Sequence, residues 1–334
     1  MREASPPPST LITTLTELGG AGVLVTELGE GTGPTLVPPG VIRIGVDRAG
    51  GGPTEGLDAF DILLSADLTA PRPWVGLGAG PLDEALDRLG TAIDHQPVAA
   101  AVLAQVLRLG DALTFDQALT LESLAYSMLL ASEGFRGWRA GAPVRTSRAG
   151  DEVRVSMAKE AGVLRITLSR PAARNAFDAA MRDALVEALD FAMIDPDHLP
   201  IELCGDGPAF SAGGDLDEFG TATDGGLAHL IRTLRSPARL VQGLGDRLQA
   251  RVHGACVGAG IEIPAAAQCV TAQPGAHFRL PEVAMGLIPG AGGTASIPRR
   301  IGRHRACYMA LSGAEINLAT ALAWGLVDEV EPWA

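Results

Sequence analysis

Lysine is almost absent: Lys159 is the only one, so nearly all of the positive charge is arginine. Positive charge is also the minority, with 26 basic against 39 acidic residues and a net charge of −13. No run of basic residues breaks that balance, which argues against nucleic acid or an anionic membrane as the main partner. A phosphate-bearing ligand would need a local site that works against the global field. Aromatic residues make up only 4%, so the core has to be built from Ala, Leu, Val and Ile. Four cysteines, Cys204, Cys256, Cys269 and Cys307, lie in the second half without C-x-x-C spacing. That pattern excludes a disulfide scaffold and reads as reduced, mostly buried thiols. The six histidines never pair at i, i+4, which argues against a metal site. Glu3 and the Pro6–Pro8 run occupy the place of a signal-peptide core, and no stretch reaches the ~18 apolar residues of a membrane span. The expectation is a cytoplasmic protein.

What is present suffices for a large core: 334 residues, 47% hydrophobic and 19% charged, one large domain or two smaller ones. Residues 1–20 read as a leader. Short β-type runs follow at Val23 to Thr26, Val41 to Val46 and Ile62 to Ser65, separated by Gly/Pro clusters. After a linker at 71–80 the period turns helical. Three helices fit up to Gly134, broken at His95-Gln96-Pro97 and at 110–114, with Thr114 as a cap. Residues 141–150 form a second linker. Beyond it strands and helices alternate: strands at Val163 to Leu168, Ile201 to Cys204, Leu248 to Val252 and Cys269 to Ala272; helices from Asp178, over 228–248, near 261–267 and over 292–301. Such alternation with glycine turns predicts an α/β fold.

Three glycine-rich segments could carry chemistry. Gly205 to Leu216 follows a strand, and its glycines let backbone amides face a ligand, although a plain βα turn has the same composition. His253 to Glu262 repeats the arrangement and sets Glu262 among Ile261, Ile263 and Pro264. Burial there raises a carboxyl pKa, whereas an exposed acid would only complement a helix dipole. In the third, Phe278 to Thr294, Glu282 follows Pro281 and precedes another glycine turn. Two such glutamates could form an acid–base pair. Spacing alone does not bring them together.

In this order the segments resemble the crotonase family, the enoyl-CoA hydratase/isomerase superfamily, from about Val153 to Val330. The loop Ser169-Arg170-Pro171-Ala172-Ala173-Arg174-Asn175-Ala176-Phe177 resembles its CoA-side entry loop, and Leu311-Ser312-Gly313 with Ala323-Trp324-Gly325-Leu326-Val327-Asp328 its final core segment. The resemblance implies a ββα spiral core and, as catalytic residues, Glu262 and Glu282. It implies backbone amides of Ala212 and Ala259 as an oxyanion hole, Ala259 standing where glycine is common. Arg170, Arg174, Ala176, Ala212, Gly213, Gly214, Asp215, Leu216, Gly258, Pro281 and Gly290 are the implied substrate and CoA contacts. The implied reaction is syn hydration of a 2-enoyl-CoA, with isomerisation or another acyl-CoA chemistry, or a non-catalytic acyl-CoA-binding subunit, as alternatives. Coenzyme A enters as part of the substrate, no separate cofactor is implied, and the expected assembly is a trimer or hexamer.

The family's C-terminal helical region does not follow the core here. Residues 79–143 resemble it instead, placed ahead of the core at 150–334, with a strand-rich region at 1–78. Circular permutation or a degenerate first copy of the fold explains this order, the latter slightly preferred; an unrelated helical domain is the third possibility. If rearranged, these helices should pack on a core, their own or a neighbour's.

Overall fold

The computed structural model describes residues 22–28, 39–142 and 152–333; the expected leader at 1–20 and most of the 141–150 linker lie outside them. Four parallel strands come first and lie in chain order: β1 (Val23–Glu27), β2 (Ile42–Asp47), β3 (Ile62–Ser65) and β4 (Val75–Gly76). Their register sets Ile44 beside Ile62 and Leu64 beside Val75. β3 is buried throughout, which accounts for its unbroken Ile-Leu-Leu run. β4 falls where the composition predicts a linker. A two-residue strand is too short to show a period, yet Val75 is fully buried.

Four helices follow where three are expected: α1 (Ala79–His95), α2 (Pro97–Gly110), α3 (Phe115–Leu130) and α4 (Glu133–Gly141). Leu82, Ala85, Leu89 and Ile93 form the buried stripe of α1. Pro97 sits in the first turn of α2, where its missing N–H costs nothing. Thr114 and Gln117 form a reciprocal capping box at α3. Gly134 does not terminate this helix. The Ser132 side chain accepts from Phe135 N–H and starts α4, with Gly134 inside it.

The second half begins with β5 (Val155–Glu160), β6 (Val163–Leu168), α5 (Ala179–Ile194), β7 (Ile201–Gly205), α6 (Gly225–Leu234) and α7 (Pro237–Leu244). It continues through β8 (Leu248–Val252), β9 (Ala255–Val257), α8 (Ala259–Glu262), β10 (Cys269–Ala272), β11 (His277–Arg279), α9 (Gly293–Ile301), α10 (Arg303–Ser312), β12 (Ile316–Asn317), α11 (Leu318–Trp324) and β13 (Glu329–Val330). A six-stranded sheet runs β13-β10-β8-β7-β6-β5, parallel except for the β5–β6 hairpin, and a three-stranded sheet runs β12-β11-β9. The helix expected over 228–248 is split, because Pro237 cannot continue a helix and Ser236 caps a new one. The helix expected near 261–267 is the short α8 followed by a 3-10 turn at Pro264–Ala266.

One apolar core joins the two halves, from Ile42 through Leu103 and Ile261 to Val327. α1 and α2 pack on α10, and α3 packs on α6 and α9, so the helical region lies on the core of its own chain. Arginines fasten the first sheet to α10. Arg303 donates to the carbonyls of Asp58 and Phe60, and Arg305 to those of Trp74 and Ala70. Burial beside Arg303 drives His304 down to about 4, so it sits there neutral. Among the described residues no helix is long and apolar enough to cross a membrane.

Candidate active site

Gly258 is the hinge between β9 and α8, with φ 50° and ψ −122°, a conformation open to glycine. That turn brings Glu262, the last residue of α8, into the interior at 2% exposure. Its Oε2 accepts from the amides of Ala291 at 2.7 Å and Gly293 at 3.0 Å, at the free N-terminus of α9. Glu282 enters the same interior from a 3-10 turn, Glu282–Met285, set up by Pro281. A Cβ built on Gly258 would lie 2.5 Å from Oε1 of Glu282 and 3.7 Å from Oε1 of Glu262. Both carboxyls therefore face one small space above Gly258. Oε2 of Glu282 is buried and has no hydrogen-bond partner among the described residues.

A third carboxyl comes from the first half of the chain. Glu122 on α3, 2% exposed, accepts from Gly292 N–H at 2.7 Å and from Thr294 N–H at 2.8 Å and Oγ1 at 2.7 Å. It is not among the site residues expected from the sequence. Its signal was a glutamate in the apolar stripe Leu119, Glu122, Ala125, Leu129, three and four residues apart. Desolvation raises all three carboxyl pKa values. Glu262 is lifted to about 7, its rise limited by the amides that hold it. Glu122 rises to about 8, with repulsion from Glu262 second to burial. Glu282 is pushed well above the usual range by burial and then by Glu262, with no amide pair to offset them.

The cluster opens into a cavity of ≈ 260 Å³ lined by, among others, Tyr126, Phe177, Gly214, Ala259 and Ile263. One expected oxyanion donor requires correction. The Ala212 amide donates to the Arg174 carbonyl at 2.9 Å and is not free for a ligand. Gly214, two residues on, lines the cavity, and its N–H makes no hydrogen bond among the described residues. The same holds for the N–H of Ala259, in the first turn of α8. A side chain at 214 would run into the Phe219 ring, 2.5 Å from a built Cβ, so the free amide comes with a glycine.

Other expected contacts divide. Arg170 is committed inside the protein, 2.8 Å from Asp215 and 3.4 Å from Asp178, and it donates to the Ala176 carbonyl. Arg170 thus braces the entry loop and is not available to a phosphate, which corrects the expectation for it, whereas Asp215 also lines the cavity. Arg174 is exposed and in no ion pair among the described residues. Gly213 packs its backbone against the Val257 carbonyl, Leu216 is exposed, and Gly290 lies against the Tyr126 ring. Among the described residues no group of acids, histidines and cysteines could hold a metal ion. Tyr126 and Arg232 also line the cavity; being far apart in sequence, they show no common motif.

A sequence profile of the family described as Enoyl-CoA hydratase/isomerase matches residues 158–334. The 2,3-dehydroadipyl-CoA hydratase of Escherichia coli K12 is 38% identical over 178 residues, 53% of this chain and 68% of that protein. An enoyl-CoA isomerase/hydratase of Mycosarcoma maydis is 32% identical, again over 53% of this chain and 68% of its own. Among solved structures, an enoyl-CoA hydratase of Thermoplasma volcanium superposes with a TM-score of 0.50 at 31% identity, covering 54% of this chain and 72% of that one. With the matched segment holding Glu262, Glu282 and the free amides of Gly214 and Ala259, the chain belongs to the enoyl-CoA hydratase/isomerase family and has its α/β crotonase fold.

Proposed function

We propose that the protein hydrates a 2-enoyl-CoA. The observation that carries this reading is the pair of carboxyls, Glu262 and Glu282, facing one space beside two unbonded amides. Their environments separate their tasks. Glu262, held by two amides, is the member that ionises near neutral pH and serves as base. Glu282 keeps its proton and serves as acid.

Glu262 removes a proton from water as the oxygen bonds to C3. The C2–C3 π pair shifts toward the thioester, and the negative charge collects on its oxygen, where the N–H groups of Gly214 and Ala259 receive it. As the enolate collapses, C2 takes the proton of Glu282. H and OH are thereby added from the side the carboxyls occupy, a syn addition, and a proton passed from Glu262 to Glu282 resets the site. The Ala259 methyl, 7% exposed, narrows the thioester position without removing the amide. Coenzyme A enters as part of the substrate, and Arg174 is the arginine of the entry loop left to meet its phosphates. A trimeric or hexameric assembly belongs to the same proposal, and light scattering checks it.

The test is crotonyl-CoA and longer 2-enoyl-CoAs in D₂O. The reading expects loss of enoyl-thioester absorbance and a 3-hydroxyacyl product with one deuterium at C2. A 3-enoyl product without hydration would move the assignment to isomerase, and binding without turnover would make the chain a non-catalytic acyl-CoA binder.

A further inference from the structure

Beyond the three buried carboxyls, one wall of the cavity carries Tyr126 and Arg232. The Tyr126 ring lies against Gly290, next to the amide of Ala291 that holds Glu262, and the Arg232 guanidinium stands 4.8 Å over that ring. Arg232 extends from the last turn of α6 and is fixed by neutral groups. Nε donates to Ser123 Oγ at 3.2 Å, and Nη2 donates to the Ser123 carbonyl at 3.3 Å and to Ser127 Oγ. Among the described residues its Nη1 donates to no protein atom and no carboxylate forms an ion pair with it. Arg182 and Arg235 line the same cavity and both pair with Asp183, at 2.8 and 3.2 Å. Asp178, Asp215 and Glu218 line the cavity as well, so what sets Arg232 apart is that its hydrogen bonds go to neutral serine groups alone.

A hydrocarbon chain laid along this wall would strip water from Arg232 and give nothing back. An anion at the chain's far end would replace that water with a charge-assisted hydrogen bond to the free Nη1. Resting on the acyl-thioester reading above, we propose that the acyl pocket takes chains that end in a carboxylate, with Arg232 as the group that binds it. Ser123 and Ser127 hold the guanidinium in place, so Arg232 sets specificity without taking part in the hydration itself.

Equilibrium binding of saturated thioesters tests this independently of turnover. Titration calorimetry compares hexanoyl-CoA with adipyl-CoA, and likewise the shorter and longer pairs from four to eight carbons, on the full chain. At one chain length or more the ω-carboxyl thioester should bind more tightly by roughly 30-fold. Arg232→Gln should erase that ratio and Arg232→Lys should recover part of it, with unchanged circular dichroism as the check on folding. Equal affinity within every pair, or a preference that survives Arg232→Gln, overturns the proposal. Failure of the protein to hydrate any enoyl-CoA would defeat the hydratase reading alone, because the binding ratio still decides this one.

Discussion

Glu122 and Glu262 draw on alternate amides of one turn: Ala291 and Gly293 donate to Glu262, Gly292 and Thr294 to Glu122. Four successive N–H groups at the start of α9, which a helix cannot satisfy itself, are divided between a carboxyl of the second half and one from α3. The helix end favours negative charge there, and burial opposes it. Glu122 thereby ties the helical region to the turn that orients Glu262.

Glu122→Ala leaves two amides and the Thr294 hydroxyl without their buried acceptor. The expected loss is about 2–4 kcal/mol of stability, read by urea unfolding. Turnover should fall more than substrate affinity, since the turn holding Glu262 loosens. Unchanged stability together with unchanged kcat would show that the divided turn has no consequence.

The three raised carboxyl pKa values predict how stability depends on pH. In the unfolded chain these glutamates ionise near 4.3. In the folded chain burial lifts them, Glu262 to about 7, Glu122 to about 8 and Glu282 well above the usual carboxyl range. The native state therefore binds more protons than the unfolded state across that window, and stability falls as pH rises through it. His304, lowered to about 4, works in the opposite sense, but only below its unfolded value near 6.5. Between pH 6.5 and 8 the carboxyls act in one sense, joined toward pH 8 by the buried Cys256 and Cys307 thiols, and the melting temperature should decline. Glu282→Gln should flatten the decline. A melting temperature that rises over this range in the wild type would contradict the burial argument.

Gly258→Ala places a methyl where the Glu282 carboxyl lies and asks alanine for a backbone conformation it rarely adopts. Backbone strain alone costs about 1–3 kcal/mol. The expected result is a folded, less stable protein with little activity, measured by melting and by hydration rate. Wild-type turnover would mean that the space above Gly258 is not where the reaction occurs.

Much of this site was legible in the sequence because glycine turns and apolar neighbours are local signals. Glu262 and Glu282 stand where the motifs put them, and the Thr114 cap and the β6, β7, β8 and β10 strands follow from spacing and period. What was not legible depends on contacts distant in sequence. The Arg174 carbonyl occupies the Ala212 amide from 38 residues away, and Asp215 occupies Arg170 from 45 residues away. Glu122 reaches Thr294 across 172 residues, and no local pattern announces such a pairing. Gly134 misled because glycine signals a helix end, whereas Ser132 two residues earlier supplied a start.

The central claim is that Glu262 takes a proton from the attacking water as base while Glu282 delivers a proton to C2 as acid. The most direct measurement is the hydration rate of a single 2-enoyl-CoA by the wild type, Glu262→Gln and Glu282→Gln, with binding of the saturated thioester as a control. The account predicts kcat lower by ~10²–10⁴-fold in each variant while the control binding persists. Full hydration by either variant would contradict it.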